Sequence, residues 1–194
     1  MELGLQDRVF VVVAADPVDR AACADALAAE GARVVQVDQL DAADEVVRTQ
    51  TRLDGVVFYL PITGGSELLQ TDASHLLEAW MPVEAVAAAF RSAVPHLTER
   101  GWGRLVSVVT GAVKWLSDDS DERAAVAGLA VLGLHKAVVA DVARFGVTTN
   151  AVLRDASSDP REVADTVAFL LSEPAAYLQG VTIGLDGAHS TSVF

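Results

Sequence analysis

Cysteine is nearly missing from this chain of 194 residues, with Cys23 the single copy. That excludes an internal disulfide framework and any Cys-rich zinc or iron–sulfur centre. The four histidines, His75, His96, His135 and His189, are scattered, so their spacing assembles no metal site and each reads as solvated or structural. Positive charge is also scarce: 14 Lys and Arg face 27 Asp and Glu, a net charge of −13. Long-range attraction to DNA, RNA or an anionic membrane is therefore unfavourable. No uninterrupted apolar run approaches the 18 or so residues that span a bilayer, and no basic segment leads into a signal core. The expectation is a soluble, cytoplasmic protein with no metal, nucleic-acid or membrane partner.

Apolar residues, by contrast, are plentiful, at 52% of the chain against 21% charged. Such a chain suits one compact domain, residues 1–194, burying roughly 70% of its unfolded surface. Val9 to Ala15 reads as a strand, and Asp16-Pro17-Val18-Asp19 opens a helix that runs to Glu30. Asp16 suits the cap, Pro17 the first helical position and Asp19 the acid of a capping box. Ala32 to Asp38 makes a second strand, Asp41 to Arg52 a short helix, and Gly55 to Leu60 a third strand stopped by Pro61. Ile62 to Thr71 reads as a loop, and Leu76 to Leu97 has helical spacing interrupted near Pro82. Strands at Arg104 to Thr110, Val147 to Leu153 and Val181 to Leu185 alternate with helices at Ala124 to Phe145 and Pro160 to Ser172. The order predicts an α/β fold, a mostly parallel Rossmann-like sheet with helices on both faces in three αβα layers.

Four groups of residues resemble the short-chain dehydrogenase/reductase family, in particular its ketoacyl-reductase-like members. They are Asp7-Arg8-Val9 through Gly31-Ala32-Arg33-Val34-Val35, then Gly103-Arg104-Leu105-Val106-Ser107, then Phe145-Gly146-Val147-Thr148-Thr149-Asn150-Ala151-Val152, then Gly180-Val181-Thr182-Ile183-Gly184-Leu185-Asp186-Gly187. The resemblance implies a nicotinamide dinucleotide at the C-terminal ends of the strands, its phosphates on a glycine-rich turn and a helix N-terminus. The three glycine positions of that turn fall on Ala14, Val18 and Arg20, with Asp16 and Asp19 beside them. Asp38 stands where the family holds ribose, and Phe58-Tyr59-Leu60-Pro61 replaces the family's Asn-Asn-Ala-Gly. In the same alignment the proton-transferring tyrosine becomes Ala124, its lysine Gly128, the serine Thr110 and the supporting asparagine Pro82. No shift repairs the pair, since Leu132 lies four residues before Lys136 and Thr110 four before Lys114. Family domains run to roughly 250 residues, so the third strand and the substrate-covering helices are expected to be shortened or missing.

A degenerate cofactor site holding no cofactor is thus expected, on a protein acting as a non-catalytic or structural subunit of an oligomer. Its partner is an identical chain or an active member of the same family. The apolar character of Ala124 to Phe145 on every side motivates this reading. The alternative is a cofactor-independent enzyme acting on a small hydrophobic metabolite, with Tyr59, Ser107, Thr110, Lys114, Asp155 and His189 as the polar candidates. Thr110, Tyr59 and Lys114 are its catalytic candidates, and an atypical oxidoreductase ranks third. Trp80, Trp102 and Trp115 read as packing anchors, and Cys23 as part of a helix packing layer. Asp118 to Glu122 reads as a solvated loop and helix cap, and Phe194 as an anchor on a neighbouring subunit or the end of a mobile tail.

Overall fold

The computed structural model describes residues 2–61, 73–114, 122–155 and 157–187, apart from the side chains of residues 73, 75, 76, 79 and 122. Six parallel strands form one sheet: β1 (Val9–Ala14), β2 (Arg33–Val37), β3 (Gly55–Tyr59), β4 (Gly103–Thr110), β5 (Val147–Arg154) and β6 (Thr182–Leu185). Their spatial order is β2-β1-β3-β4-β5-β6. Helices α1 (Pro17–Ala29) and α5 (Pro160–Leu171) cover one face. The other carries α2 (Ala43–Arg48), α3 (Ala73–Arg100) and α4 (Glu122–Val142). This is the three-layer Rossmann-like α/β architecture that the alternating runs predict.

Strand alternation divides the core. Val11 and Val13 of β1 join α2, α3 and α4, while Phe10 and Val12 join α1 and α5. All six residues of β1 are buried, as are all five of β3, because both faces of the central sheet are covered. Between β2 and β3 the chain builds only the six-residue α2, which leaves β2 at the sheet edge.

Two expectations are corrected. Helix α3 is continuous through Pro82 and Pro95 rather than interrupted. The carbonyls those prolines leave without a donor belong to Glu78 and Arg91, both exposed, so water can satisfy them. Arg123–Phe145 is also long and apolar enough to cross a membrane by length and composition alone, its most apolar 18 residues having a mean hydropathy of 1.7, with a third of that stretch buried. Its inner side packs on α3, β4 and β5, as core helices of the same composition do. The second correction is Trp80, which is no packing anchor within the chain, being 45% exposed. Trp102 is one: the guanidinium carbons of Arg8 and Arg104 lie 3.7 and 4.2 Å from its ring centroid. Trp115 and the Asp118-to-Asp121 acids lie outside the described residues.

His135 proves structural. It is buried edge-on against Phe90, its Nδ1 bonded to the Thr149 hydroxyl, and burial pushes its pKa down to about 3. Unfolded chains bind this proton near pH 6.5 and the native one does not, so stability falls as pH drops through that value. Urea titrations at pH 7 and pH 5 are expected to differ by about 2 kcal/mol from this group, and His135→Leu is expected to remove that share. Cys23 is buried in the α1 packing layer, as expected, and its thiol is pushed up to about 12 by burial.

Candidate functional site

Several candidate groups lie where the strands end at their C-terminal edge. There β1 turns into α1 through Ala15 and Asp16, and the Asp16 carboxylate accepts from the N–H groups of Val18 and Asp19 at 2.7 and 3.3 Å. The free donors at this helix N-terminus, which would otherwise attract an anion, therefore already hold an internal one. Arg20 closes the turn from the other side, its Nη1 donating to the Ala14 carbonyl at 2.5 Å. Val18, in the first turn of the helix, is 60% exposed. A diphosphate does not fit these residues: its backbone donors are taken, and a side chain stands where bare backbone has to be approached.

Asp19 is not the reciprocal half of a capping box. Buried to 3% exposure, it receives Arg154 from the end of β5 in a bidentate pair, Nη1 at 2.7 Å and Nη2 at 2.5 Å. The pair ties the first and fifth strand ends together. The carboxylate beside the turn is thus paired with a guanidinium. The Arg154 guanidinium carbon lies 5.8 Å from the centroid of Tyr59, at the end of β3. Tyr59 is 2% exposed, and its hydroxyl is buried against the Cys23 thiol. Burial raises its pKa well above the ordinary phenol value, with Cys23 adding to the rise, which leaves it neutral and unsuited to general-base work.

Leu60 and Pro61 divide the strand ends into two cavities. The smaller, about 590 Å³, is lined by Asp16, Val18, Asp19, Tyr59, Arg154 and Ser158 among others. The larger, about 730 Å³, lies beneath α3 and α4, with Leu60, Pro61, Met81, Pro82 and Ala124 as apolar lining. Asp38, exposed after β2, contributes to its rim, and Thr110 to its wall. Tyr59 and Thr110 thus line different cavities. The Thr110 hydroxyl accepts from the Ala112 N–H at 3.3 Å and caps a short 3-10 turn, Gly111–Val113. Lys114 is exposed and lines neither cavity. The Thr110, Tyr59 and Lys114 set is not brought together.

The positions aligned with the family's tyrosine and lysine lie on α4 beside Thr110. A Cβ added at Gly128 would lie 2.6 Å from Val113 Cγ1, so the 3-10 turn is packed against the bare backbone. Pro82, aligned with the supporting asparagine, lines the larger cavity. Ser107 is fully buried in β4, away from any cavity, and Asp155 lines a third cavity of about 390 Å³ beside β6. Burial alone would raise the Asp155 carboxyl, but hydrogen bonds from Ser157 and Ser158 hold it below its ordinary range. His189 and Phe194 fall outside the described residues, as does the Ile62-to-Thr71 loop apart from the residues flanking it. Asn150 acts in the scaffold: Nδ2 donates to the Leu178 carbonyl at 2.9 Å and Oδ1 accepts from the Val181 N–H at 3.0 Å, fastening the approach to β6.

Comparison with solved structures gives two engineered variants of a Serratia marcescens short-chain dehydrogenase/reductase, both 22% identical to this chain. One superposes with a TM-score of 0.79 over 95% of this chain and 98% of the other. The second gives 0.81 over 94% and 97%. The fold is that of the short-chain dehydrogenases/reductases. Among curated proteins, nodulation protein G of Azospirillum brasilense is 32% identical over 119 residues, 48% of each chain. A second, the (2S)-[(R)-hydroxy(phenyl)methyl]succinyl-CoA dehydrogenase subunit BbsC of Thauera aromatica, is 30% identical over 122 residues, 52% of this chain and 48% of its own. The chain spans about half the length of these curated relatives. No protein-family model matches it.

Arg154 and Asp19 are the site residues that sequence reasoning missed as a pair. The available signal was an arginine closing the apolar second half of a strand, after Ala151-Val152-Leu153, on a fold whose strand ends must meet the acidic first turn of α1.

Proposed function

We propose that this chain is a shortened, non-redox relative of the short-chain dehydrogenases/reductases that serves as a non-catalytic subunit of a homo- or hetero-oligomer. The observation that carries the reading is the α1 N-terminus, whose donors are held by Asp16 and whose flank is closed by the Asp19–Arg154 pair. Ala124 and Gly128 at the tyrosine and lysine positions support it, as does the six-residue α2 in place of a longer β2-to-β3 connection. One curated relative is named as a dehydrogenase subunit, which agrees with a role beside another chain. The cytoplasm is the proposed compartment, in keeping with a single free, buried cysteine.

Association is supported by exposed apolar residues on the two long helices. Leu77, Trp80 and Met81 of α3 are 72, 45 and 64% exposed, and Val126 and Leu129 of α4 are 39 and 54% exposed. Side chains of this size contribute about 1.5–3 kcal/mol each when fully covered. Native mass measurement across a concentration series is expected to find an oligomer, with Leu129→Asp weakening it at least about tenfold, or 1.4 kcal/mol. A monomeric mass at every concentration, with no second protein retained on purification from the source, contradicts the proposal.

The second reading is a cofactor-independent enzyme or binder using the larger cavity for a small hydrophobic metabolite. Its apolar lining favours that ligand class. The separation of Tyr59 from Thr110 by Leu60 and Pro61 gives it no acid/base pair. An atypical oxidoreductase ranks behind both.

A further inference from the structure

The sheet has an open flank at β2, its edge strand. The Arg33 N–H donates to the Arg8 carbonyl at 2.7 Å, so the peptide groups of Arg33, Val35 and Val37 point toward β1. Successive residues alternate, which turns the N–H and C=O of Val34 and Gln36 outward. Among the described residues, neither has an outer strand beside it or a further backbone bond to another part of the chain.

Edge strands that stay single are usually blunted by proline, lysine, a bulge or a covering segment. β2 carries neither proline nor lysine, and its register with β1 runs unbroken from Val9↔Arg33 to Val13↔Val37. Charge is unevenly placed along it. Arg33, exposed, opens the strand, and Asp38 and Asp41, both exposed, follow its end. A strand laid parallel would stack these ends like on like; a strand laid antiparallel brings cation to acid.

We propose that β2 pairs antiparallel with β2 of a second copy of this chain, joining the two six-stranded sheets across a two-fold axis. Only outward-facing groups can bond, so the register centred on Val35 sets Val34 of each copy against Gln36 of the other, exchanging both hydrogen bonds in each pair. Val35 then meets Val35 of the second copy. Arg33 lies beside the second copy's strand end and its Asp38. This contact shares with the reading above only that the chain associates, and it uses a different surface from α3 and α4.

Hydrogen exchange and native mass on the full chain test it together. The Val34 and Gln36 amides are expected to exchange slowly in the concentrated protein and to lose that protection on dilution. Gln36→Pro removes an outward N–H and leaves the bond pattern to β1 intact, and it is expected to abolish the contact. Arg33→Asp and Asp38→Arg are each expected to weaken pairing at least about tenfold, and the two together to restore it. Leu129→Asp is expected to leave protection at Val34 and Gln36 in place, which separates this contact from the helical one. The proposal is overturned if the two amides exchange freely at every concentration, if they are protected only when a different protein is bound, or if the double charge swap fails to rescue the single variants.

Discussion

Arg154→Ala is expected to lower stability by about 3–5 kcal/mol, the range for removing one partner of a buried ion pair. Asp19 is 3% exposed and keeps two short charge-assisted bonds to Arg154 alone among the described side chains. Cutting the arginine strands a carboxylate at a place water reaches poorly, and the loss is a desolvation cost more than a lost attraction. Asp19→Ala removes the same bonds but leaves a guanidinium that is 11% exposed and able to turn toward water, so it is expected to cost less. The double variant Asp19→Ala/Arg154→Ala is expected to recover at least about 1.5 kcal/mol of the Arg154→Ala loss, a coupling of the size found for groups in direct contact. Urea denaturation of the four chains measures the cycle. Additive losses would mean the pair contributes nothing across the strand ends.

Placing a tyrosine and a lysine at Ala124 and Gly128 is expected to fail structurally before it can succeed chemically. Gly128→Lys places a Cβ 2.6 Å from Val113 Cγ1, with Val109 and Thr110 behind it, and overpacking of that kind costs about 1–3 kcal/mol. The gain in helix propensity on replacing glycine, about 1 kcal/mol, offsets only part of it. Gly133 provides the control on the same helix: nothing lies within 4 Å of an added Cβ, so Gly133→Ala is expected to stabilise by up to about 1 kcal/mol. Ala124→Tyr/Gly128→Lys is expected to melt below the natural chain and to show no carbonyl reduction with either NADH or NADPH. Trimming the opposing side chain, Val113→Ala, is expected to restore stability to that variant without restoring chemistry. Carbonyl reduction by the double variant would show that the dinucleotide grip survives.

The architecture was legible because its determinants are local and repeated. The central strands β1 and β3 are continuous apolar runs, helical patterns follow the first five strands, and Asp16 caps α1 as its sequence context suggests. What was not legible depends on partners distant in sequence. Asp19 looks like a capping acid until β5 delivers Arg154, 135 residues later. Pro82 looks like a break until the exposure of Glu78 shows that its orphaned carbonyl meets water. Thr110 and Tyr59 both end strands and were read as one polar pocket, whereas the Leu60-Pro61 ridge separates them. Ala14, Val18 and Arg20 can be placed at the first turn from sequence, but only the structure shows that Arg20 turns back onto the Ala14 carbonyl.

Calorimetric titration of the purified chain with NADH and NADPH addresses the core of this account, that the first turn of α1 is filled from within. No saturable heat is expected up to about 1 mM nucleotide, equivalent to binding weaker than about −4.1 kcal/mol. Saturable binding of either nucleotide at micromolar concentration, lost on substituting Val18 or Arg20, would contradict it.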